Sequence, residues 1–167
     1  RRLIRNVCKS EAYQLDSRPV DPSKNPQQEA FFTRALDKPL SAEALARSLR
    51  IALGHGSPND KDLRNRLAKV FPDLFAENFS PSVQQTMFLT NGDFFNGLLL
   101  DSPLLNRLLE IESPQTVVRE AFQNILSRYP DDTEEERALS FIKAKDHPSI
   151  EQFCWALITG AEFRINH

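Results

Sequence analysis

Four residues of this 167-residue chain carry the functional groups of a polar-ligand site. They are an indole ring, a carboxylate and two amides, contributed by Trp155, Glu162, Gln85 and Asn91. Small-molecule sites combine aromatic walls with a few convergent polar groups. We therefore take these four residues as a candidate polar-ligand site. The alternative is structural, because amides also bond neighbouring backbone and aromatic rings also fill cores.

Other reactive residue types are few and lack the spacing that chemistry requires. The chain contains three histidines and two cysteines, namely His55, His147, His167, Cys8 and Cys154. They form no CxxC, CxxCH or HExxH pattern, which are the usual signatures of zinc and of covalently attached haem. There is also no GxSxG elbow and no GxxxxGK[ST] phosphate loop. We expect no catalytic residue, metal or cofactor site within this chain alone.

Two features leave alternatives open. Cys8 and Cys154 lie on apolar helical stripes, where buried free thiols are favoured over a disulfide between them.

The acidic residues Asp131, Asp132 and 134–136 suit the positive end of a helix dipole. A calcium ion or a cationic partner is the alternative for this acidic cluster.

Composition excludes two classes of partner. The chain has 21 basic and 23 acidic residues, and 40% of its residues are hydrophobic. Residues 1–78 carry 14 basic and 10 acidic groups, without the concentrated basic face of a nucleic-acid binder. No apolar run approaches the roughly 18 residues of a membrane-spanning helix. We therefore expect neither nucleic acid binding nor a membrane span.

Serine and proline mark the start of several predicted helices. Ser41 is expected to cap a helix that Gly54 or Gly56 ends. Serine before proline predicts further starts, because the serine accepts from a free N–H and proline suits the first helical position. These pairs lie at 80–81, 102–103 and 113–114.

Two later helices are predicted to begin with capping boxes. Thr133 with Glu136 and Ser149 with Gln152 have the required three-residue spacing. Apolar residues recur at helical spacing throughout, and no segment shows the alternation of a strand. The sequence thus predicts an all-α fold, a single compact bundle of about seven or eight helices over 1–167, with a polar, proline-rich loop at 16–28.

The first residues predict an amphipathic helix that is already under way. Leu3, Ile4, Val7 and Cys8 share one side of it, interspersed with basic residues. We expect this helix to begin before the first residue, and the chain to be a C-terminal fragment of a larger protein.

Several stretches resemble one bacterial family. Residues 82–91, SVQQTMFLTN, are similar to the "(T/S)-x-x-Q-(A/T)-L-x-L-x-N" segment of the domain of unknown function fifteen fifty-three, abundant in planctomycetes. Ordered similarities to the same family cover most of the chain, at 3–15, 32–43, 121–141 and 153–167. Lys38 stands where the family commonly has Arg, and Thr159-Gly160 replaces its usual Asn-Ser.

The resemblance implies a context rather than a reaction. Such domains form the C-terminal part of large exported proteins, at the cell surface or in the periplasm, behind an upstream partner domain. Carbohydrate-binding or c-type cytochrome modules often belong to the same proteins, so haem c would lie elsewhere in the parent.

Three functions follow as hypotheses. The first is a helical scaffold or interaction module that completes a larger exported protein through its upstream domains. The second is a share of a carbohydrate-binding or hydrolytic site that recognises polysaccharide, with its other residues upstream. The third is an accessory domain of a c-type cytochrome protein.

Overall fold

The computed structural model describes residues 2–14, 38–56, 60–70, 93–142 and 146–166. Nine helices and one pair of two-residue strands occur in these ranges, so the fold is all-α as predicted. None of the described helices combines the length and apolar character needed to cross a bilayer. The helices are α1 (Arg2–Cys8), α2 (Ala42–Ala52), α3 (Lys61–Ala68), α4 (Asp93–Leu100), α5 (Pro103–Glu110), α6 (Pro114–Leu126), α7 (Asp132–Phe141), α8 (His147–Thr159) and α9 (Ala161–Arg164).

The chain divides into two compact units. The smaller unit comprises residues 1–39 and 165–167, and the larger unit comprises residues 40–164. All buried hydrophobic residues of the described ranges belong to the larger unit. The predicted polar loop at 16–28 lies outside the described residues.

The smaller unit contains α1 and a short antiparallel strand pair. Strand β1 is Lys38–Pro39 and strand β2 is Ile165–Asn166. In their register, Lys38 lies opposite Asn166 and Pro39 lies opposite Ile165. These strands were not predicted from the sequence, because two residues are too few to show an alternating pattern.

The boundaries of α2 follow the prediction. The Ser41 hydroxyl accepts a hydrogen bond from the Ala44 N–H at 3.2 Å. After the helix, Gly54 adopts the left-handed conformation, with φ at +79°. A Cβ on Gly54 would lie 3.4 Å from the Pro103 Cβ, which is van der Waals contact, so the positive φ is what favours glycine here. The buried stripe is Leu45, Ala46, Leu49 and Ala52, followed by Leu53.

Two of the three Ser-Pro helix starts are confirmed. Ser102 caps α5 by accepting from the Leu105 N–H at 3.2 Å. Ser113 caps α6 by accepting from the Thr116 N–H at 3.4 Å. In both helices proline is the first residue, where it loses no hydrogen bond. The third predicted start, at 80–81, lies outside the described residues.

The predicted cap of α7 is wrong by two residues. Asp131, not Thr133, accepts from the Glu134 N–H at 2.8 Å, and the Glu134 carboxylate accepts from the Asp131 N–H at 2.9 Å. The acidic cluster contains more than one pair of residues with the three-residue spacing of a capping box, and Thr133 with Glu136 is only one of these pairs. With Asp131 as the cap, the Glu134 side chain also forms an ion pair with Arg128. The acidic cluster is therefore a helix start, as interpreted from the sequence.

The predicted cap of α8 is also wrong. Asp146, not Ser149 with Gln152, caps this helix, and it accepts from the Ser149 N–H at 3.0 Å. The Ser149 hydroxyl instead donates to the Asp146 carbonyl at 3.0 Å. The physical reason is Pro148, whose fixed φ and missing N–H suit the first turn of a helix and draw the start toward Asp146.

Helix α8 is the centre of the larger unit. It packs against α4, α5, α6, α7 and α9, while α2 and α3 pack against each other. The Leu104 N–H donates to the Leu53 carbonyl at 3.0 Å and joins the end of α2 to the start of α5. The buried residues of α8 are Ile150, Phe153, Cys154 and Ile158.

Candidate functional site

The four residues of the predicted polar-ligand site have different settings. Gln85 and Asn91 lie outside the described residues. Trp155 is half-buried on α8 and packs against the hydrophobic core. Glu162 is half-buried on α9. The described part of the chain therefore gives a detailed environment for Glu162, and that environment centres on Arg128, which is not one of the four predicted residues.

Glu162 is bound by Arg128. The Arg128 Nε donates to Glu162 Oε1 at 2.6 Å, and its Nη2 donates to Glu162 Oε2 at 2.7 Å. Two parallel bonds between a guanidinium and a carboxylate form a strong, geometrically specific pair. Glu162 is thus held in place by the chain itself.

The same guanidinium binds a second carboxylate. Arg128 Nη1 donates to Glu134 Oε2 at 2.7 Å, and Nη2 donates to Glu134 Oε1 at 2.7 Å. Nη1 also donates to the Tyr129 carbonyl at 3.1 Å. An arginine side chain has five N–H donors, and these contacts with Glu134, Glu162 and Tyr129 occupy all of them. We call Arg128, Glu134 and Glu162 the Arg128 cluster.

Aromatic rings attach the Arg128 cluster to the core. The Arg128 guanidinium carbon lies 5.2 Å from the centroid of the Phe122 ring, within cation–π distance. Phe122 in turn lies 6.1 Å from the Phe153 ring, at an interplanar angle of 45°. Both phenylalanines are buried. The ion pairs of Arg128 therefore lie beside the packed contact between α6 and α8.

The local backbone explains how the three elements meet. Ser127 ends α6 in the left-handed conformation, with φ at 58°, and Arg128 follows directly. Glu134 lies in the first turn of α7, which the capping box fixes. Glu162 lies in the first turn of α9. Arg128 thus ties the end of one helix to the starts of two others.

The electrostatics of the Arg128 cluster stabilise its charged forms. Hydrogen bonds from Arg128 lower the pKa of Glu134 from 4.5 to about 2, against the opposing effect of burial. The hydrogen bonds to Glu134 and Glu162 raise the pKa of Arg128 in turn. A general acid or base works best with a pKa near the working pH. The pKa of Glu134 is far below neutral pH, so the Arg128 cluster has the character of a structural ion-pair network.

The histidines of the described ranges have modest contacts. His55 follows α2, and its Nε2 lies 3.4 Å from the Leu98 carbonyl oxygen. His147 opens α8, with its Nδ1 3.6 Å from Glu151 Oε2. Within the described residues, no three His, Cys, Asp or Glu side chains come together in a way that could hold a metal ion.

Both cysteines are free thiols, as favoured from the sequence, but only Cys154 is buried as expected. Cys154 is completely buried in α8, and this burial raises its pKa to about 12. Because the thiolate is the reactive form, Cys154 is chemically inert at neutral pH. Cys8 in α1 is half-buried.

The sequence did not predict Arg128 and Glu134 as partners of Glu162. Arg128 and Glu134 stand close together in one stretch of the sequence, and Glu162 stands in another stretch far downstream. The structure brings these stretches together through one guanidinium. Comparisons with protein-family models, with curated proteins and with solved structures find no match for this chain.

Proposed function

We propose that this chain is a helical interaction module that completes a larger exported bacterial protein. The observation that carries the proposal is the apolar side of α1, where Leu3, Ile4 and Val7 are 76%, 67% and 48% exposed. No residue of this helix is buried. A seven-residue helix is too short to be stable alone in water, so it needs packing against another surface.

The occupant we propose for this surface is an upstream polypeptide segment of the same parent protein. The apolar residues of α1 lie among Arg2, Arg5 and Lys9, which are exposed cations. The matching surface would be apolar at its centre and acidic at its rim. The family resemblance supports this assignment, because it implies an upstream domain in the same exported protein.

The Arg128 cluster supports a scaffold over a catalytic role. Glu162, the one carboxylate of the predicted polar-ligand site, is held by Arg128 in a bidentate pair. The carbohydrate-site and cytochrome-accessory hypotheses stay predictions.

The test is binding between the upstream polypeptide and this chain, expressed separately and measured by isothermal titration calorimetry. The double variant L3E/I4E places two carboxylates on the apolar side of α1. We expect it to weaken binding at least about tenfold, since burying a charge without a partner is costly. The matched control is I51E, which puts a carboxylate at a side chain that is 60% exposed on α2.

Binding that I51E preserves and L3E/I4E weakens supports the proposal. Failure of the upstream polypeptide to bind overturns it, as does equal binding by wild type and L3E/I4E. Far-UV circular dichroism of each variant verifies that the helices are retained.

A further inference from the structure

A cavity of about 520 Å³ lies between α2 and α3, beside the first turns of both helices. It is separate from the Arg128 cluster, and none of the functions considered above uses it. Six of its eight lining residues are polar or charged, and the other two are alanines. The side chains important here are Ser41, Glu43 and Arg47 from α2, and Asp60, Lys61 and Arg64 from α3.

Three cations of this lining have no counterion among the described residues. Arg47, Lys61 and Arg64 are exposed, and within the described part of the chain no carboxylate oxygen lies within 4.0 Å of their charged nitrogens. The neighbouring Arg66 differs, because its Nε is 2.8 Å from Asp62 Oδ2. Uncompensated cations around one concave site raise its positive potential, since the walls focus the field.

The carboxylate closest in sequence to two of these cations is already engaged. Asp60 Oδ2 accepts from Arg50 Nη1 at 2.8 Å, and Asp60 Oδ1 accepts from the Leu63 N–H at 3.0 Å. Asp60 therefore forms an ion pair with Arg50 and caps α3. Glu43 is the second acidic residue of the lining, and it is exposed. The three cations outnumber it.

We propose that this cavity binds an oxyanion of the phosphate or sulfate class. Two guanidinium groups can each donate two parallel hydrogen bonds to such a group, and a lysine ammonium adds a compact positive charge. The positive end of the α2 dipole adds to the same field, because that helix is capped by the uncharged Ser41. The oxyanion can come from free inorganic anion or from a monoester of a small molecule, which offers the same charged group.

The first experiment titrates the chain with inorganic phosphate at constant ionic strength, followed by the amide chemical shifts of α2 and α3. We expect saturable binding. R47Q and R64Q each remove one guanidinium from the lining and should weaken binding about tenfold, since each removes charge-assisted hydrogen bonds. The matched control is R137Q, which removes one exposed cation from α7.

Glu43 provides a variant with the opposite expected sign. E43Q removes a negative charge from the lining without removing a donor, so phosphate binding should tighten. A variant that only disturbed packing would not tighten it. Melting temperatures of all variants, whose altered side chains are exposed, verify that the fold is retained.

Glucose 6-phosphate and glucose separate the two sources of the oxyanion. Tighter binding of glucose 6-phosphate than of phosphate assigns the site to a monoester, and equal binding assigns it to the free anion. Non-saturable phosphate binding overturns the proposal. So does an R137Q effect as large as that of R47Q and R64Q, because it would indicate a response to net charge alone.

Discussion

Arg128 and Glu162, which are 34 positions apart in sequence, form a two-point pair with nitrogen–oxygen distances of 2.6 and 2.7 Å. The pair joins the residue just after α6 to the first turn of α9. The same guanidinium holds Glu134 in the first turn of α7 through two further bonds. Removal of this single side chain would release both carboxylates.

Arg128→Gln is expected to destabilise the larger unit by about 1–2 kcal/mol. The substitution removes two bidentate pairs and leaves Glu134 and Glu162 repelling each other, and the roughly one-third exposure of these side chains reduces the cost. Urea denaturation measures the change. The control is Arg119→Gln, which breaks a more exposed pair with Glu135 at 3.2 Å and should cost no more than about 0.5 kcal/mol. Equal losses would contradict the role of Arg128.

Acid should destabilise the wild type more than Glu134→Gln. The pKa of Glu134 is lowered from 4.5 to about 2 in the folded chain, so its stabilisation is present above pH 4.5 and is lost as the pH falls toward 2. After allowance for partial exposure, the wild type should lose about 1 kcal/mol more than Glu134→Gln between pH 6 and pH 3. Urea denaturation at both pH values measures this difference. Parallel losses in the two proteins would refute it.

Ser102→Ala should cost more stability than Ser113→Ala. Both serines cap a helix that begins with proline, but Ser102 is completely buried and Ser113 is exposed. Without Ser102, the Leu105 N–H loses its partner away from water, at a cost of about 1–2 kcal/mol. The Thr116 N–H can bond to water instead, so Ser113→Ala should cost about 0.5 kcal/mol. Thermal and urea denaturation of the two variants give the comparison.

Cys154 should resist thiol reagents while the chain is folded. Its side chain is completely buried, and burial raises its pKa to about 12, so almost no thiolate exists at pH 7. Cys8 is half-buried in α1 and should react first. A colorimetric thiol titration before and after addition of guanidinium chloride measures the number of reactive groups. Rapid reaction of both thiols in the native chain would show that α8 is not packed as described.

The helix starts that depend on nearby residues could be predicted from the sequence. Ser41, Ser102 and Ser113 cap their helices because a cap needs only an N–H three residues ahead. The wrong predictions of Thr133 and Ser149 as caps also come from relying on local spacing. In each case an aspartate upstream offers an equally suitable acceptor, and local spacing alone does not distinguish the two.

The Arg128 cluster could not be predicted in this way. Its bond to Glu162 depends on how α6 and α9 pack, and no local rule connects residues so distant in sequence. Glu162 therefore looked like a free carboxylate. The α2–α3 cavity could not be predicted either, because Arg47 and Arg64 line the same cavity only when the two helices pack.

The central position of α8 has a consequence for synthesis on the ribosome. This helix covers α4, α5, α6 and α7, yet it follows all of them in the chain. The earlier helices emerge before this common neighbour is available, and they acquire it only after residue 159 has left the exit tunnel. The larger unit should therefore complete its folding only once α8 has emerged, and the nascent chain before that point is the species most exposed to chaperones and to aggregation.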